Sequence, residues 1–305
     1  MNGRVVVIGD ALIDELRDEH GVREFVGGAA LNVAVGLTRL GVPTSLIAMV
    51  GDDEAGAHIR AYLSDFGVEL IASPGPNGSS RAVSTRSASG EPVYEFNEAA
   101  QARALVFGDA ELSALADASA VAISCYQFDN AAQTTALTEA LERSSAMLAI
   151  DPNPRSGMMS DRAEFVRGFE SLAPKATLVK VGEDDATLLY GEPLDALRSR
   201  LIDLGVDAVL ATQGASGATI EAGEVVVTHP ISDLPGRIID TMGAGDAAFA
   251  AAVASLLEGP PADEDAWHDA LARAMDVAAA TCRFEGALLR HPESLSALDL
   301  DSIGT

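Results

Sequence analysis

Short runs of Val, Ile, Leu and Ala alternate with segments of helical periodicity along almost the whole chain. This rhythm constrains the fold more than any single motif. Continuous apolar runs suit strands buried on both faces, and the helices between them supply the crossovers that a parallel sheet requires. Val5–Ile8, Ser45–Val50, Glu69–Ala72, Ala120–Ser124, Met147–Ile150, Thr177–Val181 and Ala208–Ala211 read as strands. Gly28–Leu40 reads as a helix with Leu31, Val35 and Leu37 on its packing side and Gly41 as its stop. Glu54–Phe66 and Ala131–Arg143 read likewise, and the chain after Gly243 is almost wholly helical in pattern. The expected fold is α/β: a doubly wound, mostly parallel sheet with helices on both faces, forming one domain over residues 1–305.

Two segments interrupt the rhythm. Asp10–Val26 is charged and alternating, and Arg81–Phe96 reads as two strands around a turn at Ser89-Gly90-Glu91-Pro92. Neither contains a crossover helix. Insertions 11–26 and 81–97 are therefore expected to form a small β-sheet flap on the main domain, with ordinary surface hairpins as the plainer alternative. The acids at Asp263–Asp265 suit a helix start, where the dipole is positive.

The charge balance narrows the partners. With 46 acidic residues against 20 Lys and Arg, the net charge is −26, which repels a polyanion and argues against nucleic acid. A phosphate-bearing ligand would need local positive sources: a helix N-terminus, a few basic side chains or a metal ion. Ala247–Leu257, the longest apolar candidate, falls short of the roughly 18 residues needed to span a bilayer, so no membrane partner is expected. Two cysteines make neither a disulfide framework nor a zinc site, and Met1–Arg4 runs into a strand with no signal-peptide pattern. Together these features predict a soluble, cytoplasmic protein.

The segment richest in chemistry is Asp240-Thr241-Met242-Gly243-Ala244-Gly245-Asp246, ahead of a long helix. Gly-Ala-Gly lets backbone N–H groups turn inward at a helix start and form an anion site. Asp246 in that first turn either balances the dipole or acts as a base beside the anion hole, taking a proton from an attacking hydroxyl. The spacing matches neither a dinucleotide fingerprint nor a Walker A loop.

This segment resembles the C-terminal signature of the ribokinase-like (PfkB) carbohydrate kinases. Gly27-Gly28-Ala29-Ala30-Leu31-Asn32-Val33-Ala34 is similar to their N-terminal signature. The likeness extends to Gly9-Asp10…Asp14, to Asp151-Pro152-Asn153-Pro154-Arg155 and to Thr212–Gly217. It implies transfer of a phosphoryl group from ATP with Mg2+, and a lid made by the two insertions. Asp246 would be the base, and the N–H groups of Gly243, Ala244 and Gly245 would hold the transferring group. Asp14, Gly27, Gly28, Asn32, Asn153, Arg155 and Phe96 would meet the sugar. Thr212, Gly214, Gly217, Lys180, Asp185 and Gly245 would meet ATP, with Asp185 supporting magnesium indirectly. The segment Ala278–Ala287 would close the adenine side, and a monovalent cation, K+, would bind through the loop at Asp240. A homodimer through the lid is a further expectation.

The pattern departs from the family in three places. Gly182-Glu183-Asp184-Asp185 stands where Asn-x-x-Glu is common, Met242 where Thr or Val is, and Ala248 where Phe is. Among subgroups, the fructokinase-like members are the nearest in pattern. The stretch Tyr94–Glu98 carries two acids and no Arg, which points to a neutral acceptor, with fructose foremost. The alternatives are a 2-keto-3-deoxygluconate, ribose or nucleoside kinase of the same superfamily, or a non-catalytic sugar- or nucleotide-binding paralogue.

Overall fold

The computed structural model describes residues 3–18, 21–86 and 92–297. Its strands, in chain order, are β1 (Val5–Gly9), β2 (Leu12–Asp18), β3 (Gly21–Gly27), β4 (Thr44–Val50), β5 (Glu69–Pro74), β6 (Ser80–Arg86), β7 (Pro92–Phe96), β8 (Ala120–Ser124), β9 (Met147–Asp151), β10 (Leu178–Gly182), β11 (Val209–Thr212), β12 (Ala218–Ala222) and β13 (Val225–His229). Nine of them form one sheet in the order β13-β12-β11-β10-β9-β8-β1-β4-β5. Its pairings are parallel from β5 through to β11 and antiparallel at the β11-β12-β13 edge.

The apolar runs put both faces of this sheet to use. Along β1, Val5 and Val7 join one core while Val6 and Ile8 join the other, as the two-residue strand period dictates. The first face carries the helices Ala29–Arg39, Glu54–Asp65, Ala244–Glu258 and Glu264–Thr281. Small residues bring two of them close: a Cβ on Gly36 would stand 3.3 Å from that of Ala250. The second face carries Asp109–Ala116, Ala131–Leu141, Arg162–Leu172 and Leu194–Asp203, with Phe128, Phe165 and Phe169 clustered beneath them.

The two interrupting segments build a second sheet, ordered β3-β2-β6-β7. β2 and β6 pair in parallel at its centre, with Leu12 opposite Ser80, and hairpin partners flank them on both sides. Residues 87–91, most of the turn expected at Ser89–Pro92, lie outside the described residues.

The structure adds one hairpin that the apolar rhythm does not announce. β12 and β13 turn about Gly223, at φ +60°, and extend the large sheet with a half-exposed edge. The helical pattern after Gly243 holds as far as Thr281. From there the chain runs in turns to a short 3-10 segment, Pro292–Ala297. Asp263 caps the helix it precedes by accepting from the Ala266 N–H at 2.9 Å.

Candidate active site

In a doubly wound sheet, ligands bind beyond the carboxyl ends of the parallel strands. Here β1, β8, β9, β10 and β11 deliver Asp10, Cys125, Asp151, Gly182 and Thr212 to that edge. The Ala244–Glu258 helix starts above them.

That helix start is open. Asp53, Asn97, Asn130, Asp161 and Asp263 each cap a helix with a side-chain oxygen, but no side chain caps this one. Gly243 precedes it at φ +74°, and a Cβ there would lie 2.6 Å from Ala287. Among the described residues, the N–H groups of Gly243, Gly245 and Asp246 donate to no protein atom. Ala244 differs from expectation: its N–H points 3.3 Å to the Thr241 carbonyl, because the loop tightens into a turn before the helix. The open donors are thus those of Gly243, Gly245 and Asp246. The Lys180 ammonium adds charge beside them, 3.2 Å from where a Cβ of Gly245 would stand.

Asp246 lies within this first turn, 8% exposed. Asn32 Nδ2 donates to its Oδ2 at 2.9 Å, and Asn153 Nδ2 reaches Oδ1 at 3.5 Å. Three distant pieces of sequence therefore meet at one carboxylate. Burial pushes the Asp246 carboxyl above its ordinary range, while the Asn32 donor, Lys180 and Arg155 restrain the rise. Lys180 pairs with fully buried Asp151 at 3.2 Å. Burial pushes Asp151 up to about 7 against the pull of Lys180. Burial alone would lower Lys180, but Asp151, Asp185 and Asp246 outweigh it and hold the ammonium charged. Asp185 is buried and turned inward, its Oδ2 accepting the Gly182 N–H at 2.7 Å. Arg155 is exposed at the cleft mouth. Partial burial works against its charge, but Cys125, Asp246, Asp10 and Asp151 raise its pKa overall.

The second sheet closes over the other end. Gly28, at φ +112°, lets its backbone pass within 2.8 Å (measured to a notional Cβ) of the Asp10 carbonyl. A Cβ on Gly27 would sit 2.3 Å from Asp14 Oδ2. Burial, then the nearby Asp10 charge, lifts Asp14 to about 6. Phe96 is half-buried against Ala29, Cys125, Ala100 and Met158, at the seam between the two sheets.

Several residues of this end were given no role of their own in the sequence, although Asp10 lies within the Gly9-Asp10…Asp14 motif. Asp10 is buried and accepts the Ala30 N–H at 3.0 Å, locking β1 to the following helix. A small cavity of about 20 Å³ lies beside it, lined also by Arg103, Cys125 and Gln127. Arg103, which the sequence did not single out, is a second basic side chain at this end beside Arg155. It follows the second sheet in sequence, in a segment with no distinguishing motif. Arg81, on β6, is by contrast engaged with Glu24 at 2.6 Å and Glu15 at 3.7 Å. The position of Gln127, just past the end of β8, was the available signal.

A larger cleft of about 490 Å³ runs from Asn153, Arg155, Lys180 and Gly245 along Asp185, Thr212, Gly214 and Gly217. It ends among Ile231, Ile238, Met275, Ala279 and Arg283; the last two belong to the segment expected to close the adenine side, while the first three were not singled out in the sequence. Asp240 lies behind the helix start rather than in the cleft. Its Oδ1 accepts the Met242 N–H at 2.9 Å and its Oδ2 the Gly286 N–H at 3.0 Å, tying the two loops together.

An anion hole beside a buried carboxylate, opening into a long cleft, is the layout of a phosphotransferase. Comparison with known proteins agrees with that class. A model of the "pfkB family carbohydrate kinase" matches residues 2–293, and the chain belongs to this family of sugar kinases. A fructokinase from Rhizobium leguminosarum bv. trifolii is 30% identical over 263 residues, 83% of this chain and 79% of that one. A fructokinase from Klebsiella pneumoniae is 28% identical over 96% of this chain and 97% of its own length. In fold, the chain superposes with TM-score 0.81 at 22% identity on a fructokinase double mutant from Vibrio cholerae O395, solved with fructose, ADP and potassium, covering 97% and 98% of the two chains. The fold is ribokinase-like. No helix among the described residues is long and apolar enough to cross a membrane.

Proposed function

We propose that the protein transfers the γ-phosphoryl group of ATP to a primary hydroxyl of a neutral sugar, with fructose the foremost acceptor. The observation that carries this reading is the convergence of Asp246, Asn32, Asn153 and Lys180 on the uncapped helix start. The acceptor hydroxyl attacks the γ-phosphorus and gives its proton to Asp246, while the bond to the bridging β-γ oxygen breaks and ADP leaves. The open N–H groups of Gly243, Gly245 and Asp246 receive the negative charge of the transferring group, and Lys180 and Arg155 offset it. Asp14 and Asn32 hold the sugar hydroxyls, and the second sheet acts as a lid that excludes water.

The chain's own residues fit a magnesium ion carried on the triphosphate. No cluster of three or more His, Cys, Asp or Glu side chains is arranged as a metal cage among the described residues. Asp185, with Glu183 and Asp184 on the cleft wall, supplies acids that would meet the ion through water. Bound magnesium neutralises triphosphate charge. The loops tied by Asp240 support a K+ site, as does the potassium in the Vibrio cholerae fructokinase structure.

A second reading is favoured by Arg103. A guanidinium lining the small cavity beside Asp10, near the acceptor end, suits an acceptor that carries a carboxylate or phosphate. An ADP-release screen with fructose, other ketoses and aldoses, ribose, nucleosides, sugar acids and sugar phosphates separates the readings. Highest kcat/KM with fructose or another uncharged sugar is expected. A sugar acid or sugar phosphate as best acceptor at both low and moderate salt would replace the neutral assignment, and no release with any acceptor would remove the kinase assignment.

A further inference from the structure

The loop after β4 serves more than the helix it starts. Asp53 Oδ1 caps that helix by accepting the Gly56 N–H at 2.8 Å. The same carboxylate also takes both donors of Ser79, a residue remote in sequence. Oδ1 accepts the Ser79 hydroxyl at 2.6 Å and Oδ2 accepts its backbone N–H at 2.8 Å. The hydroxyl in turn accepts the Gly51 N–H at 3.0 Å. Ser79 is 2% exposed, so these protein partners stand in for water. Desolvation works against the Asp53 charge, but the bonds from Ser79 and Gly56 outweigh it and hold the carboxyl below its ordinary range. The two loops also touch through their backbones: a Cβ on Gly51 would lie 2.5 Å from the Gly78 carbonyl carbon.

Ser79 is where the second sheet is rooted. The next residue, Ser80, opens β6 opposite Leu12 of β2. Asn97, directly after β7, ties the exit of that hairpin to its entry. Its Nδ2 donates to the Ser79 carbonyl at 3.0 Å, and its Oδ1 accepts the Arg81 N–H at 3.0 Å. From this root the ladder sets Asp14 opposite Ala82, and Ala82 opposite Phe96. Residues opposite one another share a face, so Asp14, Ala82 and Phe96 form one row across the sheet. The row begins three residues beyond Ser79. It holds the carboxylate assigned above to the sugar and the aromatic ring at the seam between the sheets.

A helix cap needs one oxygen. Here both oxygens of the carboxylate meet Ser79 as well, so the large sheet grips the second sheet at the point where β6 enters it. Without that grip the entry of β6 is free to shift, and the row that contains Asp14 shifts with it. We propose that, with Asp14 at the sugar as in the reading above, Asp53 is a positioning residue for the acceptor, acting through Ser79 to fix where the second sheet stands over the site. Asp53 itself touches neither the open helix start nor the nucleotide cleft.

Three variants of the full chain separate this role from capping. Asp53→Ala loses both the cap and the link. Asp53→Ser keeps a good cap residue, but its single oxygen on a shorter side chain cannot also satisfy Ser79. Asp263→Ala loses a cap of the same kind whose carboxylate meets only the Ala266 N–H among the described residues. In both Asp53 variants the KM of the best acceptor should rise about 10-fold or more, within the 10² that a distant misplacement of about 1 Å can cause. Displacement of trinitrophenyl-ATP by ATP should stay within a few-fold of wild type. Asp263→Ala should melt lower, as Asp53→Ala does, with its acceptor KM unchanged. Recovery of the wild-type KM in Asp53→Ser, or an equal rise in Asp263→Ala, overturns the positioning role. Amide hydrogen exchange over residues 80–86 and 92–96, followed by mass spectrometry without substrates, should quicken in Asp53→Ser and not in Asp263→Ala; unchanged exchange in Asp53→Ser overturns it too. If that exchange difference is found while the wild-type protein phosphorylates no acceptor, the proposed reaction fails and the hold of Asp53 on the second sheet stands.

Discussion

Replacing Asp246 by Asn separates its chemical role from its structural one. The amide keeps the shape of the carboxylate. Its oxygen still accepts from Asn32 Nδ2, the 2.9 Å contact. Its NH2 group then faces Asn153 Nδ2, which gives up only the weaker 3.5 Å approach. Against that small loss, a carboxylate whose charge burial disfavours becomes neutral. The two effects oppose each other, so the fold should keep its stability, with a melting midpoint within a few degrees of wild type at about 2–4 °C per kcal/mol. Chemistry has no such compensation, because an amide cannot take the hydroxyl proton. The usual worth of a positioned base is about 10²–10⁴ in rate, which is about 2.7–5.4 kcal/mol of barrier. An ADP-release assay at saturating acceptor, run beside thermal melting, measures both quantities. Turnover within a few-fold of wild type would remove Asp246 as the base, and a melting point lowered by ten degrees or more would make its main role structural.

Three further outcomes follow from the same geometry. In Gly27→Ala, the new Cβ meets Asp14 Oδ2 at 2.3 Å and must turn that carboxylate aside, so acceptor KM should rise about 10-fold or more while nucleotide affinity holds; an unchanged acceptor KM would free Asp14 from sugar binding. Arg103→Met should leave kcat/KM for fructose within about 10-fold but cost an anionic acceptor about 10², the worth of a lost charge pair; equal losses for both would make Arg103 structural. The third outcome concerns pH. Asp14, lifted to about 6, and Asp151, lifted to about 7, hold protons in the folded chain that the unfolded chain has already released. Their contribution to stability is therefore full at low pH and fades as pH rises through those values. The ligand-free protein should melt higher at pH 6 than at pH 7.5, and a flat or opposite trend by calorimetry would contradict the raised values.

The parts of the fold that were legible in sequence were those whose residues face one kind of environment. β8 runs as expected at Ala120–Ser124 because every residue of it is buried, and a buried run has clear ends. β12 and β13 were not legible because they lie at an edge where Ala218–Ile220 are buried while Glu221, Ala222 and most of β13 are not, so no continuous apolar run marks them. At the site, glycines and acids in fixed order announced the helix start and the Gly27-Gly28 segment. Arg103 and Gln127 carry no such order. They reach their cavity through loops whose paths depend on the packing of the whole sheet. The inward turn of Asp185 onto Gly182 was likewise hidden, since a capping contact and a ligand contact call for the same acid at the same place.

The open start of the Ala244–Glu258 helix also bears on how this protein could be engineered. A polar cap is worth about 1 kcal/mol, so a search guided by heat resistance alone would tend to install one wherever a helix lacks it. At Gly243 that route is closed twice over, by a backbone at φ +74° and by Ala287 standing 2.6 Å from any added Cβ. A side chain there would have to displace the loop that follows the last long helix before it could reach the vacant donors. The steric block makes the position resistant to drift as well as to design: variants that would gain stability by filling the anion hole first lose it by collision. Libraries built to harden this scaffold should therefore keep the five side-chain caps for the stability they give and find Gly243 invariant for a steric reason instead.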